Sequence, residues 1–276
     1  MAIITVSRQL ASLGDEISAK IADRLGYKFF GKKEIEKRIV ELGFPESKIA
    51  RFDERKVGFL AGLTRGRDEY LNFLMTAILE AAADNNCVIV GRGSFIILKD
   101  IENHVSCRFI AGENLRTERL HKELGCSLRT ASKKIADAEA QQKGFHKGFF
   151  NFDIHDPAMF DVIVNTASLD IDSIVGSVTA LTQSYVTARK DAAGQKRIDE
   201  LLLGQRIVNL LTLVYNLDIN FLRASLDAEG RRVTLRGMAG SAEVVDSAVT
   251  IVGAELPGYT IESAISVAQD FRAFAR

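Results

Sequence analysis

Residues 3–26 read IITVSRQLASLGDEISAKIADRLG, and this stretch decides the fold. Its first four residues are all β-branched, which predicts a short buried strand. From residue 14 to residue 24 the apolar side chains recur at helical spacing, and Gly26 supplies a stop signal. The stretch therefore predicts a strand, a loop and a helix in direct succession, the unit from which parallel α/β sheets are built.

The alternation continues to residue 186. Apolar runs that predict further buried strands occupy residues 87–90, 105–110 and 161–165. The helical patterns occupy residues 32–42, 47–52, 69–84, 113–123, 128–143 and 171–186. Strands that alternate with helices in this way predict an α/β fold, in which helices flank a parallel sheet joined by right-handed crossovers.

The character of the chain changes after this region. Residues 187–196, TARKDAAGQK, are small and charged and are predicted to form a linker. The elements predicted beyond them are a helix, two hairpin strands, a helix and a strand, over residues 198–215, 219–226, 232–238, 242–256 and 259–267. We therefore predict two domains, residues 1–187 and residues 198–276, of which the second is a small α+β module of order αββαβ.

Composition argues against several classes of protein. The 36 basic residues balance 36 acidic ones, so no net charge attracts nucleic acid, and no apolar stretch is long enough to span a membrane. No secretory signal pattern is present, and the three cysteines, Cys87, Cys107 and Cys126, form no CxxC pair. These features predict a cytoplasmic protein with buried thiols. The four histidines lack metal-ligand spacing, so no metal site is predicted from them.

Two loops are candidate phosphate sites. Residues 7–16 connect the first strand to the first helix, where backbone N–H groups and a helix N-terminus favour anions. The candidate ligands in this loop are Ser7, Arg8, Ser12 and Gly14. The second loop is Gly91-Arg92-Gly93, which follows a buried strand at the end where α/β sheets bind their ligands. Arg92 is predicted to contact phosphate; the alternative is a surface arginine paired with a carboxylate.

Three ordered segments resemble the cytidylate-kinase-like family of P-loop nucleoside monophosphate kinases. ITVSRQLASLGDEIS over residues 4–18 is similar to the family's ITISRxxGSGGREIA, and VIVGRGS over residues 88–94 is similar to VIVGRGA. FFNFDIHDP over residues 149–157 is similar to FFxxDxxDP. The resemblance covers nearly the whole first domain. It implies a P-loop kinase-type fold with ATP and Mg²⁺ as cofactors and CMP as the phosphate acceptor.

The resemblance also implies roles for particular residues. Arg92, flanked by Gly91 and Gly93, resembles the arginine that holds the acceptor monophosphate. Asp53-Glu54 lies in the expected acceptor-binding insert, where a solvated helix end explains it equally well. His155-Asp156 falls within the DxxDP segment and is expected to form a turn before the next strand.

The lid region before the FF motif is less similar to the family. The family carries DxxR followed by a further arginine, and this chain has EAQQK over residues 139–143, so that Gln142 stands where arginine is expected. Lys143 is the candidate to compensate for the missing arginine. Arg116 and Arg119, on the preceding predicted helix, are further candidates for contact with nucleotide phosphates.

The phosphate loop departs from the family in its glycines and its charge. Where the family has GSGGR, Ala11 and Leu13 replace two glycines and Asp15 replaces the arginine. Side chains there hinder the approach of phosphate to the backbone, and Asp15 repels it. Three hypotheses follow: an ATP-dependent CMP-type kinase, a pseudokinase that binds or senses a nucleotide without catalysis, and a purely structural domain.

The second domain resembles a BON domain. The resemblance rests on RVTLRG over residues 232–237, the helix SAEVVDSAVTIVGAEL and the final YTIESAISV. It implies a module that binds a ligand, a protein partner or a second copy of the chain. The alternating apolar residues of its strands are expected to form a core face, and none of its residues is a candidate for catalysis.

Overall fold

The computed structural model describes residues 2–50, 52, 65–227, 229 and 231–268, which fall into two compact units, residues 1–195 and 196–276. Asp53-Glu54 lies outside the described residues, as do two residues of the predicted hairpin turn, Ala228 and Gly230.

The first unit is built on a parallel sheet of five strands. In chain order the strands are β1 Ile3–Arg8, β2 Lys28–Phe30, β3 Cys87–Val90, β4 His104–Ile110 and β5 Val162–Asn165. Their order across the sheet is β2-β3-β1-β4-β5, and every neighbouring pair is parallel. The carboxyl ends of all five strands therefore meet at one edge, where the loops after β1 and β3 are neighbours.

Helices surround this sheet. They are α1 Gly14–Leu25, α2 Lys32–Glu41, α3 Glu46–Ile49, α4 Arg65–Ala83, α5 Ser94–Ile97, α6 Glu113–Leu124, α7 Leu128–Phe150 and α8 Ile171–Tyr185. The apolar side chains of alternate strand residues, such as Ile4, Val6 and Cys107, form one buried core with α1 and α8. The opposite residues of β1 and β4 are also buried, but several are polar, among them Thr5, Ser7 and Arg108.

The α/β fold predicted for this unit is confirmed, with differences in detail, one of which is that the four-residue helix α5 was not predicted. The three-residue strand β2 was not predicted, because only its two phenylalanines are apolar and none of its residues is fully buried. The helix predicted over 128–143 continues to Phe150, so the FF motif forms the last turn of α7. Asp156 caps the 3₁₀ turn Pro157–Met159 by accepting from Ala158 N at 3.0 Å.

The linker predicted over residues 187–196 is wrong, because these residues belong almost entirely to the helix α9 Ala188–Asn209. Thr187 begins it, its Oγ1 accepting from Lys190 N at 3.3 Å. Within the first unit, the Asp191 carboxylate accepts from Asn85 Nδ2 at 2.9 Å. A Cβ at Gly194 would lie only 2.0 Å from the Asn103 side-chain oxygen. The small residues therefore serve close packing rather than flexibility.

The second unit has the predicted order αββαβ. After the end of α9 and a π-helical turn, Leu210–Val214, come β6 Ile219–Leu226, β7 Arg232–Ala239, α10 Ala242–Glu255 and β8 Thr260–Val267. Strands β6 and β7 are antiparallel, and β7 and β8 are parallel. Val233, Leu235 and Val252 lie at the centre of its core. No helix in the described ranges of either unit is long and apolar enough to cross a membrane.

Candidate functional site

The loop between β1 and α1 keeps an unusual backbone without the glycines that would favour it. Ala11 and Leu13 both lie in the left-handed region, with φ of 60° and 62°. These are the two positions at which the resembling family has glycine. Gly14 is needed for another reason, because a Cβ there would lie 2.5 Å from Arg8 Cβ. The loop therefore has left-handed turns of the kind that orient backbone N–H groups toward an anion.

The two serines predicted to bind phosphate are bonded to the protein. Ser12 is buried, and its hydroxyl donates to the Gln9 carbonyl oxygen at 2.8 Å, which closes the loop on itself. Ser7 is also buried, and its oxygen accepts from Arg108 Nη1 at 3.1 Å. A ligand would have to compete with these bonds to use either hydroxyl.

Arg8 and Asp15 form an ion pair across the loop. Arg8 Nε donates to Asp15 Oδ1 at 2.9 Å, and Arg8 Nη2 lies 3.5 Å from Asp15 Oδ2. Both charges belong to the phosphate loop itself. The carboxylate thus lies against the guanidinium that was predicted to bind phosphate.

The Gly91-Arg92-Gly93 turn is left-handed at all three residues, with φ of 79°, 56° and 70°. Arg92 is 1% exposed, its Nη2 donates to a Glu36 carboxylate oxygen, and its Nη1 lies 3.4 Å from the Phe52 carbonyl oxygen. A Cβ at Gly93 would lie 2.4 Å from Phe150, so the turn packs directly on the end of α7. Arg92 lines the loop cavity, and its carboxylate partner Glu36 is not among the described residues of the cavity walls.

The two arginines of α6 have different partners. Arg116 is buried, and its Nη2 lies 2.8 Å from Glu139 Oε1 while its Nε donates to the Ala111 carbonyl oxygen. Arg119 donates from Nη2 to the Thr166 carbonyl oxygen at 2.9 Å, and its Nη1 lies 3.5 Å from the Ala11 carbonyl oxygen. Arg119 thus touches the phosphate loop, and no ion pair joins it to a carboxylate in the described residues.

Lys143 is exposed on α7 and is not among the described residues that line the loop cavity. Its charge acts on Asp153 instead. The His155 backbone N–H is the largest influence that lowers the pKa of Asp153, and Lys143 contributes to the same effect. Gln142 does line the cavity, and its Nε2 donates to the Arg8 carbonyl oxygen at 3.2 Å.

These elements enclose a cavity of about 380 Å³, within the range of small-molecule sites. Its described walls comprise residues 8–16, Lys32, residues 90–92, Glu123, Ala138, Glu139 and Gln142. The walls also include two carboxylates, Asp15 and Glu16, whose oxygens are donors of the kind that bind Mg²⁺ together with phosphate. The donor set therefore fits a magnesium-bound nucleotide better than bare phosphate.

Three further residues of the site, Glu36, Glu139 and Arg108, are not among the predicted site residues. Glu36 and Glu139 are partners of Arg92 and Arg116 that lie 56 and 23 positions away in the chain, and no local pattern pairs them. Arg108, the partner of Ser7, did leave a signal. The alternation of His104, Ser106 and Arg108 marks one face of β4 as polar although the strand is buried.

The two buried cysteine thiols of the sheet are inert. Burial raises the pKa of both Cys87 and Cys107 to about 12, which keeps these thiols protonated. Cys126 is half-buried. Among the residues that the structure describes, no group of three or more His, Cys, Asp or Glu side chains is arranged to hold a metal ion.

Comparison with known proteins gives one family and several curated relatives. The family model described as "Cytidylate kinase-like family" matches residues 3–168. A cytidylate kinase of Methanocaldococcus jannaschii is 28% identical over 104 residues, which is 37% of this chain and 58% of that protein. A cytidylate kinase of Pyrococcus horikoshii is 30% identical over 102 residues, 37% of this chain and 52% of that protein. The chain thus spans little more than half the length of these relatives.

Among solved structures, an uncharacterized protein from Eubacterium ventriosum matches with a TM-score of 0.54 at 19% identity. The match covers 66% of this chain and 98% of that one. At this identity the likeness concerns the fold alone.

Proposed function

Because the chain belongs to the cytidylate kinase-like family, we propose that its first unit binds a magnesium-bound nucleotide at the β1–α1 loop and has lost efficient phosphoryl transfer. One observation carries the proposal: carboxylates from within the chain hold three of the site's arginines. Asp15 pairs with Arg8, Glu36 with Arg92, and Glu139 with Arg116. The same three guanidinium groups are candidates to bind phosphate.

The loss of catalysis follows from what phosphoryl transfer requires. The protein's contribution is mostly positioning and charge stabilisation, and one arginine can be worth about 10³ to 10⁵ in rate. An arginine held by a carboxylate offers less of its charge to the transferred group. Gln142, which replaces the expected lid arginine, adds no charge, and Lys143 lies away from the cavity walls. Several losses of available positive charge therefore combine to lower the rate of phosphoryl transfer.

Retained binding follows from the backbone. The left-handed conformations at Ala11 and Leu13 keep the loop in a shape that aims N–H groups at an anion, and the N-terminus of α1 lies beside them. Arg119 touches the loop at the Ala11 carbonyl oxygen without an ion pair in the described residues. We expect these groups to hold the nucleotide, and a bound Mg²⁺ would neutralise phosphate charge beside Asp15 and Glu16.

A CMP-type kinase is the second candidate, and the placement of Arg92 favours it. Its turn sits at the carboxyl edge of the sheet and lines the cavity, as an acceptor-binding arginine would. In this reading the acceptor phosphate displaces Glu36 from Arg92. Glu36→Gln would then raise CMP affinity. Glu41→Gln, on the same helix but paired with Lys37 at the surface, is the matched control and should leave it unchanged.

Thermal shift and turnover assays on the full chain separate the candidates. The proposal predicts that ATP with Mg²⁺ stabilises the protein by mass action, while ATP, Mg²⁺ and CMP yield no CDP above background. Formation of CDP and ADP at about 1 to 100 turnovers per second would establish the kinase instead. If a panel of nucleoside mono-, di- and triphosphates leaves the melting temperature unchanged, both candidates fail and the structural hypothesis remains.

For the rest of the chain we propose a BON-like ligand-binding or partner-binding module over residues 198–276, joined to a nucleotide-binding domain over residues 1–187. Its order of elements, αββαβ, supports this reading. A second copy of the chain is one candidate partner, and light scattering of the full chain tests it. The buried thiols Cys87 and Cys107 fit a cytoplasmic location, which fractionation of cells would test.

A further inference from the structure

Arg108 is a buried cation next to the phosphate loop. It lies on β4 opposite Ser7 of β1 in the parallel register, and it is 6% exposed. Its Nη1 donates to Ser7 Oγ at 3.1 Å, and its guanidinium carbon lies 5.3 Å from the centre of the Phe160 ring. Ser7 precedes the first residue of the cavity wall, so Arg108 stands immediately behind the loop.

The charge of Arg108 is not matched by a contacting carboxylate. In the described part of the chain, Arg8, Arg92 and Arg116 each form an ion pair, and Arg108 forms none. Glu139 and Asp153 act on it only from a longer range, and burial, the larger influence, lowers its pKa. A guanidinium stays protonated even so. An unmatched buried cation is costly to a fold, and an aromatic ring offsets only part of that cost.

We propose that Arg108 is a positioning residue that supplies an uncompensated positive charge behind the phosphate loop, in addition to Arg119, and draws the polyphosphate to the β1–α1 loop through Ser7. The inference rests on the proposed function and deepens it, since it names the triphosphate group as the feature that the site selects. It also explains how the loop retains anion affinity although Asp15 neutralises Arg8. Asp15 stands where the resembling family has arginine and pairs with Arg8, and Arg108 on β4 provides a positive charge next to the loop.

The test uses three variants of the full chain. Arg108→Met removes the charge but keeps a long side chain, and Arg108→Lys keeps the charge. Arg24→Met removes an exposed arginine at the far end of α1, about 15 Å from the loop, as a control for net charge. Calorimetry measures the affinity for ATP with Mg²⁺, for tripolyphosphate with Mg²⁺ and for adenosine. Urea unfolding measures stability in parallel.

The proposal expects Arg108→Met to weaken ATP and tripolyphosphate binding at least about tenfold, while Arg108→Lys stays within about threefold of the unchanged protein. Adenosine affinity and the Arg24→Met control should not change. The urea midpoint of Arg108→Met should stay level or rise, because the variant no longer bears the desolvation cost of an unmatched buried charge in the folded state. If Arg108→Met does not fold, Arg108→Gln takes its place with the same expected loss of binding.

Other outcomes overturn the proposal. Equal losses for ATP and adenosine together with a lower urea midpoint would show a structural role only. Unchanged ATP affinity in Arg108→Met would refute the inference and leave the proposed function standing. If the unchanged protein binds neither ATP nor tripolyphosphate, the inference and the proposed function fail together.

Discussion

Replacing Ala11 with glycine tests whether the phosphate loop holds its backbone under strain. With φ at 60°, Ala11 pays the penalty of a left-handed residue, about 1 to 2 kcal/mol for an L-amino acid with a Cβ. Glycine removes that penalty but costs about 0.5 to 1 kcal/mol of extra chain entropy. The substitution also removes the half-buried Ala11 methyl group, which packs near Leu120, and this loss costs about 0.3 kcal/mol of stability. The net expectation is stabilisation by about 0.5 kcal/mol.

A matched substitution makes this small effect measurable. Ala136 is exposed in the interior of α7, where glycine costs about 1 kcal/mol relative to alanine. The two Ala→Gly variants therefore have opposite expected signs and should differ by about 1.5 kcal/mol. Urea unfolding at constant m-value gives both free energies. If Ala11→Gly destabilises the protein as much as Ala136→Gly does, the loop is not strained at residue 11 and the reasoning is wrong.

Three further predictions concern packing, pH and charge. Gly93→Ala should destabilise the protein by more than about 2 kcal/mol, because the new Cβ would lie 2.4 Å from Phe150. Gly148 lies in open space on α7, so Gly148→Ala should stabilise the protein by up to about 1 kcal/mol in the same unfolding assay. Burial lowers the pKa of His104 to about 4, so the unfolded chain binds the proton at a higher pH than the folded protein does. Up to about 3 kcal/mol of stability should therefore be lost as the pH falls from 6.5 to 4, and His104→Asn should reduce this dependence of stability on pH. Asp15→Asn should release its arginine partner and raise the affinity for ATP without Mg²⁺ several-fold by calorimetry, and a fall in that affinity would contradict the inhibitory role of the ion pair.

Local patterns were sufficient for most of the fold. The apolar runs at residues 3–6 and 87–90, rich in β-branched residues, predict strands buried on both faces, and the helices between them carry clear apolar stripes. The linker failed because small residues are ambiguous: TARKDAAGQK is equally suited to flexibility and to close helix packing. Only the three-dimensional contacts of Asp191 and Gly194 decide between the two.

The chemistry of the site was harder to predict than its position. Sequence could place Arg92 at the end of a strand, because the flanking glycines and the preceding apolar run are local. It could not show that Glu36 accepts from that arginine, since ion pairs between distant elements leave no periodic trace. The alternative that sequence offers for Arg92 is a surface arginine paired with a carboxylate. The pairing occurs instead at a buried guanidinium that also lines the cavity.

The strain and the charge pairing of the loop both support the proposed function. A loop without a ligand would be expected to relax, because Ala11 and Leu13 each lose stability in the left-handed region. The conformation is held by surrounding contacts: Gly14 lies against Arg8, and the Ser12 hydroxyl closes the turn on Gln9. These contacts keep N–H groups in place for an anion while Asp15 cancels the nearest side-chain charge. Carboxylates pair with three of the arginines that phosphoryl transfer would need, while the backbone keeps a shape suited to phosphate, which is why we propose nucleotide binding rather than catalysis.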